Sequence, residues 1–416
     1  MRKRFSKNGL IILKNSAFGM SGAIFSQVIA MVTSIAMGRI LGAEGVGIYS
    51  FALTIAAIMY IFLNLGLSGI FQRDVAQDKS LASKYYANTL FLRLCVAIPI
   101  GLLIFIALTF ILGRADQIAI MLLSCLYIGF SGVYTIVIGG ITAFENFKVH
   151  SLLSIIEKSC LLATTVVSLL LTKSIVVMLI SYNVVFITLI VITLLYINKH
   201  FCKIYIEADI PFCKKYIREA APQILSAAAE YMNLRSDLLV LSLLINDTAT
   251  GIYSVSSNIY IAASVIPLAV AKAATPTFNR TLGENKNPKS IVKKTFLLME
   301  GLSVALCVGV VCLARVGIMF LWGHEFEGSV FLLQILAISL LFMPLNRFFG
   351  YLLVGLKRQD VVAKCTWIGT VANLTGNFAL VPVLGISAVA YTTIATEFLV
   401  TLVEFIVLRK NTDYFK

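Results

Sequence analysis

The chain has 416 residues, of which 59% are hydrophobic and 13% are charged. Soluble globular proteins carry about 25% charged residues, so this composition excludes an ordinary soluble protein and indicates an integral membrane protein. The net charge is +14, which taken alone would also fit a protein that binds nucleic acid.

Apolar stretches recur along the whole chain, and each is long enough to cross a bilayer of about 30 Å as a helix. The sequence predicts twelve such helices, near residues 11–37, 46–70, 88–112, 117–141, 150–172, 175–197, 220–245, 250–272, 295–321, 328–354, 361–382 and 385–408. These stretches are much longer than the strands of an outer-membrane barrel. The predicted fold class is therefore an all-α integral membrane protein.

The positive charge is unevenly distributed between the loops. If the N-terminus lies in the cytoplasm, most Lys and Arg residues fall in the two tails and the even-numbered loops, and the other loops hold only Arg39, Arg114 and Lys173. This asymmetry follows the positive-inside rule and predicts that both termini are cytoplasmic. The basic excess then needs no nucleic-acid partner, and anionic membrane lipids are its expected neighbours.

A short motif occurs twice. The tetrapeptide "GIYS" occupies residues 47–50 and 251–254, at an offset of 204 residues, and opens the second helix of each half. A four-letter match can arise by chance, but the shared place in the helix order favours duplication. The sequence thus predicts two six-helix lobes, residues 1–197 and 220–416, joined by a cytoplasmic linker at 198–219. Both lobes start on the same side of the membrane, so the repeat is parallel, and such repeats place a substrate cavity between their halves.

Three stretches resemble one known family. The first is Gly19–Ala76, with "GRILGAEGVGIYS", "NLGLSG" and "RDVA"; the others are "RSDLLVLSLLINDTATGIYSVSSNIY" (Arg235–Tyr260) and "ATPTFNR" (Ala274–Arg280). They resemble the polysaccharide-transporter family of Wzx-type lipid-linked oligosaccharide flippases. That family belongs to the multidrug/oligosaccharidyl-lipid/polysaccharide exporter superfamily. Length, helix number and short outer loops agree, so the resemblance covers nearly the whole chain.

The resemblance implies a V-shaped bundle of two lobes around a central cavity, working by alternating access. Its substrate would be an undecaprenyl-pyrophosphate-linked oligosaccharide, of O-antigen or a related surface polysaccharide, carried from the cytoplasmic to the periplasmic leaflet of a bacterial inner membrane. Polysaccharide polymerase machinery is a further partner that it implies. The family is also similar to the lipid II flippases, in which a cationic cavity is thought to hold the pyrophosphate. This implies a type of residue for the cavity rather than particular positions.

Charged side chains interrupt the seventh predicted helix in "EYMNLRSDLLVL". A charge at mid-membrane costs about 2.5–3.5 kcal/mol on insertion scales, so such residues face protein or a water-filled cavity. At 100° per residue Glu230 and Asp237 share a face, and Arg235 lies about 140° from Glu230. Arg235 would either bind a pyrophosphate in the cavity or form a structural ion pair. Asp237 and Glu230 would either pair structurally or take part in substrate binding or cation coupling.

Further candidate residues follow from their positions in the predicted helices. The cavity candidates are Lys272, Arg347, Asn64 and Lys158, and the gate candidates are Arg39, Arg73 and Asp74. Lys272 and Lys158 could instead extend to the headgroups. Arg347 follows a proline that permits a bend, so a gating role and a structural role stay open. Arg39 would form an outer-gate ion pair or lie among headgroups, and the Arg73–Asp74 pair could simply anchor a loop.

Two acidic residues on the last predicted helix, Glu397 and Glu404, are also costly in a membrane. Proton coupling and pairing with a neighbouring helix are the two interpretations of this pair. The chain contains no ATP-binding motif, so transport would be coupled to an H⁺ or Na⁺ gradient or run down the substrate gradient.

Catalytic and metal-binding motifs are missing from the sequence. It contains no HExxH, Walker A or GxSxG motif, and its three histidines are far apart. An enzyme acting on lipid-linked sugars would need a larger outer loop, so the chain is not expected to be an enzyme, and neither a cofactor nor a metal is expected. The alternative function is a cation-coupled small-molecule or drug antiporter of the same superfamily.

Overall fold

The computed structural model is built almost entirely of helices. It describes residues 7–64, 67–205, 208–284 and 286–414, except the side chains of 7–26, 59, 61–64, 220–227 and 230. The α-helices are α1 (Lys7–Asn64), α2 (Leu67–Gln77), α3 (Ala82–Phe91), α4 (Ile98–Ile111), α5 (Ile118–Ala143), α6 (Phe147–Thr172), α7 (Ile175–His200), α8 (Ile210–Leu244), α9 (Asp247–Gly283), α10 (Lys289–Leu321), α11 (Gly328–Ile338), α12 (Met343–Gly355), α13 (Gln359–Leu384) and α14 (Ser387–Asn411). No described residue lies in a β-strand, and the predicted all-α class is confirmed.

The predicted membrane helices are found in the structure. Among the described residues, ten stretches are long and apolar enough to cross a membrane. One of them, Gln27–Ile58, runs across a kink in α1 and so contains parts of two predicted helices. α8 is not among the ten, and it is the helix that carries Arg235 and Asp237. Counting the two parts of α1 separately and adding α8 gives the twelve predicted helices.

The chain divides into two compact units. The first contains Met1–Leu41 and Phe51–Ala228, and the second contains Gly42–Ser50 and Ala229–Lys416. α8 passes from one unit to the other after Ala228, whereas the sequence predicts the division at the linker 198–219. That linker lies within the first unit.

The first unit is built around α5, which packs on α2, α4 and α7, while α6 packs on α7. Aromatic side chains fill its core: Phe71 and Tyr86 meet edge to face at 4.9 Å, and both are fully buried. Between α3 and α4 the backbone forms a π-helical turn, Leu92–Ala97. Such turns occur mostly as single-turn bulges within α-helices and are frequent at functional sites.

The linker docks onto α3 through polar contacts. The Lys84 ammonium lies 2.7 Å from the Asp209 carboxylate, and the Asp209 backbone N–H donates to the Asn88 side chain at 2.8 Å. Asp209 also accepts from the backbone N–H of Phe212 at 2.9 Å, which caps the start of α8. One turn later the Tyr216 hydroxyl donates to the Leu67 carbonyl at 2.7 Å. These contacts fix the start of α8 within the first unit.

The second unit is organised around α9, which packs on α10, α11 and α12; α14 packs on α11, α12 and α13. Its apolar core contains Phe278, Met299, Phe348 and Leu408, all buried. The core therefore joins α9, α10, α12 and α14.

A kink at Gly42 separates the two parts of α1. Gly42 has φ 70° and ψ −175°, a conformation that favours glycine over residues with a side chain. The kink leaves the first N–H groups of the following helix without helical acceptors. Ala43 donates its N–H to the Glu325 carboxylate at 2.7 Å, so an acidic side chain before α11 caps this helix.

The two "GIYS" segments are in direct contact in the second unit. A Cβ on Gly47 would lie 1.7 Å from the Asp247 carbonyl oxygen, and a Cβ on Gly251 would lie 1.8 Å from the Ala43 carbonyl oxygen. Asp247 follows Ala43 by the same 204 residues that separate Gly251 from Gly47. Each copy of the motif thus contacts the other through equivalent atoms, and only glycine permits this approach.

Candidate functional site

A buried carboxylate lies where four helices of the second unit meet. Asp237 on α8 is only 4% exposed. Its carboxylate accepts hydrogen bonds from the Tyr253 hydroxyl on α9, from the Asn377 amide on α13 at 2.6 Å and from the Thr393 hydroxyl on α14 at 3.1 Å. Each of these donors is uncharged. We call Asp237 and its three donors the Asp237 cluster.

More oxygen atoms surround this cluster. The Asn373 side-chain oxygen accepts from the Ser236 hydroxyl at 3.0 Å and from Asn377 at 3.1 Å. The Thr392 hydroxyl donates to the Asn377 side-chain oxygen. Carboxylate, amide and hydroxyl oxygens from α8, α13 and α14 are thereby concentrated in one small volume. Oxygen atoms of this kind suit a hard cation as well as hydrogen bonds.

Arg235 and Asp237 do not form an ion pair with each other. The Arg235 guanidinium is half-buried and donates to the Asn258 side chain on α9 at 3.4 Å. Asp237 takes its hydrogen bonds from the Asp237 cluster instead. The side chain of Glu230 lies outside the described residues.

A second group of buried charges connects α12 and α14. Glu397 accepts from the Asn346 amide at 2.9 Å and is 8% exposed. Glu404 is 1% exposed, and its Oε1 lies 3.8 Å from where a Cβ on Gly350 would stand. Arg347 is within electrostatic range of both carboxylates. The structure therefore brings Arg347 to the two acidic residues of the last helix.

Lys272 and Lys158, the other cavity candidates whose side chains are described, contact neither of these groups. Lys272 is exposed in the last third of α9. Lys158 lies 2.8 Å from the neighbouring carboxylate of Glu157. The side chain of Asn64 lies outside the described residues.

The gate candidates belong to the first unit. Arg39 is exposed. Arg73 bonds to Asp74 at 2.6 Å and lies 3.8 Å from Glu219 on α8. The hydrogen bond from Arg73 lowers the pKa of the Asp74 carboxyl, and the Tyr85 hydroxyl also donates to it. These contacts join the end of α2 to α3 and to the start of α8.

The first unit contains a cavity with a buried cation in its wall. Its volume is about 20 Å³, and it is lined by Ala56, Tyr60, Arg93, Ala97, Ile98, Cys125 and Gly129. Arg93 is 2% exposed, donates to the Tyr60 hydroxyl, and holds its guanidinium carbon 5.4 Å from the centre of the Tyr60 ring. The π-helical turn that contains Arg93 continues into α4 through Ala97, which is also in the wall. The other lining side chains are mostly apolar.

Arg93 does not appear among the residues predicted from sequence. It lies close to the predicted start of the third helix, at residue 88, where a basic residue fits the charge pattern of a membrane interface. The sequence signal that could have identified Arg93 is its position inside the predicted membrane helix 88–112. The π-helical turn, which buries Arg93, leaves no periodicity that sequence reasoning could recognise.

Comparison with known proteins gives the family. The family model described as "Polysaccharide biosynthesis protein" matches residues 12–282, more than half of the chain. The chain belongs to this family. A second family model, MatE, matches residues 222–379. The capsular polysaccharide biosynthesis protein CapF of Staphylococcus aureus is 21% identical over 398 residues, covering 93% of this chain and 96% of the relative.

Solved structures share the fold. The lipid II flippase MurJ, in an inward closed conformation, is 14% identical with a TM-score of 0.75, covering 94% of this chain and 87% of that one. An inward-facing multidrug resistance MATE family transporter of the MOP superfamily is 15% identical with a TM-score of 0.73, covering 93% and 94%. The predicted resemblance to a polysaccharide transporter of this superfamily is confirmed. The chain is a multi-pass membrane protein, and the solved structures that share its fold are a flippase and a transporter.

Proposed function

We propose that this protein is a flippase for undecaprenyl-pyrophosphate-linked oligosaccharides, which it moves from the cytoplasmic to the periplasmic leaflet of a bacterial inner membrane by alternating access. The observation that carries the proposal is Arg93, a buried cation in the wall of a cavity in the membrane-spanning part of the first unit. Membership of a polysaccharide biosynthesis family supports it, as does the relative named for capsular polysaccharide biosynthesis.

The buried cation in the cavity wall suits a phosphate group. A guanidinium presents five N–H donors in a planar fork that matches phosphate oxygens, so Arg93 is a type of residue that suits a phosphate. Its attraction for an anion is stronger here than in water, because the surroundings have a low dielectric constant. The cavity has room for about one water molecule, so the helices around it would have to move apart to admit the phosphate.

Transport is further proposed to be coupled to H⁺ or Na⁺. The buried carboxylates of the second unit support this. Ionisable side chains are costly inside a membrane protein, and those that occur there usually belong to an ion-binding site or a proton pathway. The oxygens around Asp237 suit Na⁺, with Asp237, Asn373 and Thr393 as the residues that would hold it. Binding to polysaccharide polymerase machinery is proposed from the family alone.

The second candidate function is cation-coupled antiport of small molecules. It is favoured by the MatE match over residues 222–379 and by the similarity of fold to MATE transporters. A buried arginine in the cavity wall favours the flippase instead. Its positive charge attracts an anionic headgroup and repels a cationic drug.

The test is reconstitution into liposomes with a short-chain prenyl-diphosphate oligosaccharide, measuring its accessibility from the opposite leaflet. We expect Arg93→Ala to slow translocation about 10- to 100-fold, since a charge-assisted hydrogen bond contributes roughly 1.5–3 kcal/mol. Arg93→Lys keeps the charge and loses the fork, so we expect an intermediate rate. The matched control is Arg280→Ala, which removes an exposed cation at the end of α9.

Two results would contradict the proposal. Normal translocation by Arg93→Ala would make Arg93 a packing residue and remove the main support for the site. Failure of the wild-type protein to move prenyl-diphosphate oligosaccharides of several repeat-unit types would favour the antiporter.

A further inference from the structure

Three polar residues of α14 form a stripe along one face. Thr393, Glu397 and Glu404 stand at positions i, i+4 and i+11, which return to nearly the same side of a helix. At 1.5 Å per residue the stripe is about 16 Å long. One end touches Asp237 through Thr393, and Glu397 bonds to Asn346 on α12 in the middle. Glu404, at the other end, is about 10 Å from Asn411, where α14 ends.

Asp237, next to one end of the stripe, and Glu404, at the other end, differ in their hydrogen bonds. Asp237 accepts from Tyr253, Asn377 and Thr393, so both of its oxygens are occupied. Glu404 is more deeply buried, at 1% exposure, and its Oε2 has no hydrogen-bond partner among the described residues. A buried charged oxygen without a donor is strongly unfavourable, whereas a carboxyl that carries a proton on that oxygen avoids the charge.

The groups that face Glu404 come from three helices. Arg347 approaches from α12, Cys365 from α13, and Glu397 lies on α14 itself; α11, which also packs on α14, has no titratable side chain. Two carboxylates thus lie within range of Arg347, and Glu397 has the Asn346 amide in addition. Of the two, Glu404 is the carboxyl with an unsatisfied oxygen.

We propose that Glu404 binds an exchangeable proton and is the proton-coupling site of this transporter. The coupling rests on the proposed function, but the bound proton does not. The proton reaches Glu404 from the side of the membrane at which α14 ends, since that end of the stripe is nearest to the helix terminus. Its release leaves a negative charge on Glu404, which attracts Arg347 away from Glu397 and changes the contact between α12 and α14.

Infrared spectroscopy of the full chain in lipid nanodiscs at neutral pH tests the bound proton directly. We expect the carbonyl band of a protonated carboxylic acid in the wild-type protein, in Glu397→Gln and in the exposed control Asp360→Asn. We expect Glu404→Gln to lack this band. Glu404→Asp keeps the carboxyl and should shift the band. This variant replaces Glu404→Gln as the test if Glu404→Gln does not fold. A wild-type spectrum without the band, or a band that persists in Glu404→Gln, would overturn the proposal.

Translocation in liposomes under an imposed pH gradient tests the coupling. The wild-type rate should change several-fold with the gradient, and Glu404→Gln should translocate at one rate with or without it. A response to an Na⁺ gradient alone, unchanged in Glu404→Gln, would overturn the coupling. If the infrared result is as expected but no oligosaccharide is moved, the proton site stands and the proposed substrate is wrong.

Discussion

The two buried carboxylates Asp237 and Glu404 of the second unit differ in their hydrogen bonds. Asp237 is the acceptor that joins α8 to α9, α13 and α14, and Glu404 is an acceptor with one oxygen unsatisfied. Removing the Asp237 carboxylate leaves buried hydrogen-bond donors unpaired. Replacing the Glu404 carboxyl by an amide leaves none unpaired. The two residues should therefore respond differently to substitution.

Asp237→Ala should lower stability by about 2–4 kcal/mol, because it leaves the Tyr253, Asn377 and Thr393 donors without their acceptor. The measurement is thermal unfolding of the detergent-solubilised protein. Asp360→Ala, an exposed acid at the start of α13, is the control and should be neutral. Equal stability of the Asp237 variant and this control would show that the cluster contributes nothing to holding the helices together.

The Asp237 cluster could not be predicted from sequence beyond its central residue. A charge in an apolar helix marks Asp237, but Asn377 and Thr393 are 140 and 156 residues away, and Asn and Thr are common in membrane helices. Arg93 was not predicted for another reason. Its burial depends on how the π-helical turn packs against Tyr60 on α1. Tertiary contacts decide both cases.

At the level of whole elements, the start of α8 depends on an ion pair outside the membrane. The hydrogen bond from Lys84 lowers the pKa of Asp209, and the Phe212 N–H adds to this effect. A pKa lowered by folding stabilises the docked linker at pH values above the unfolded value of about 3.9. That stabilisation is lost as the pH falls below this value and through the lower folded pKa.

We therefore expect amide hydrogen exchange at residues 208–219, corrected for the intrinsic rate, to be protected equally from neutral pH down to about pH 4. Below that pH, protection should fall. Asp209→Asn should show reduced protection at every pH and no such decline. A wild-type linker that stays protected in acid would mean that Asn88 and Tyr216 dock it without the ion pair.

The contact between the two "GIYS" segments gives a second prediction at this level. A methyl group on Gly47 would overlap the Asp247 carbonyl, so Gly47→Ala should separate the segments and destabilise the protein by more than 1 kcal/mol. Thermal unfolding measures this. The control is Gly301→Ala on α10, where a Cβ meets nothing within 4 Å and alanine favours the helix. Equal stability of the two variants would contradict the close approach.

For the molecule as a whole, hydrophobicity was enough to predict the class of fold and the helix order. Long apolar runs have few alternatives to a membrane helix, and the duplicated motif indicated two lobes. The division between the two compact units was harder to predict. The boundary falls inside α8, and Gly42–Ser50 belongs to the second unit. A contact that holds this segment there is made by Glu325, which caps the helix at Ala43 from 282 residues further along the chain.

The predicted orientation of the chain can be checked by labelling. Single cysteines placed at Lys173 and at Lys286, in a chain whose own cysteines are replaced, should react with a membrane-impermeant reagent from opposite sides. The charge pattern predicts Lys173 outside and Lys286 in the cytoplasm. Labelling of both sites from one side would show that the helix count between them is wrong.

The meeting of the two motif copies is isologous, in the sense used for two-fold dimers, because each side contributes the same atoms. A methyl group on Gly47 and one on Gly251 must push the same two backbones apart. Once the first has done so, the second enters a gap that already exists. The double alanine variant should therefore cost less than the sum of the single variants, with a coupling energy on the order of 0.5–3 kcal/mol.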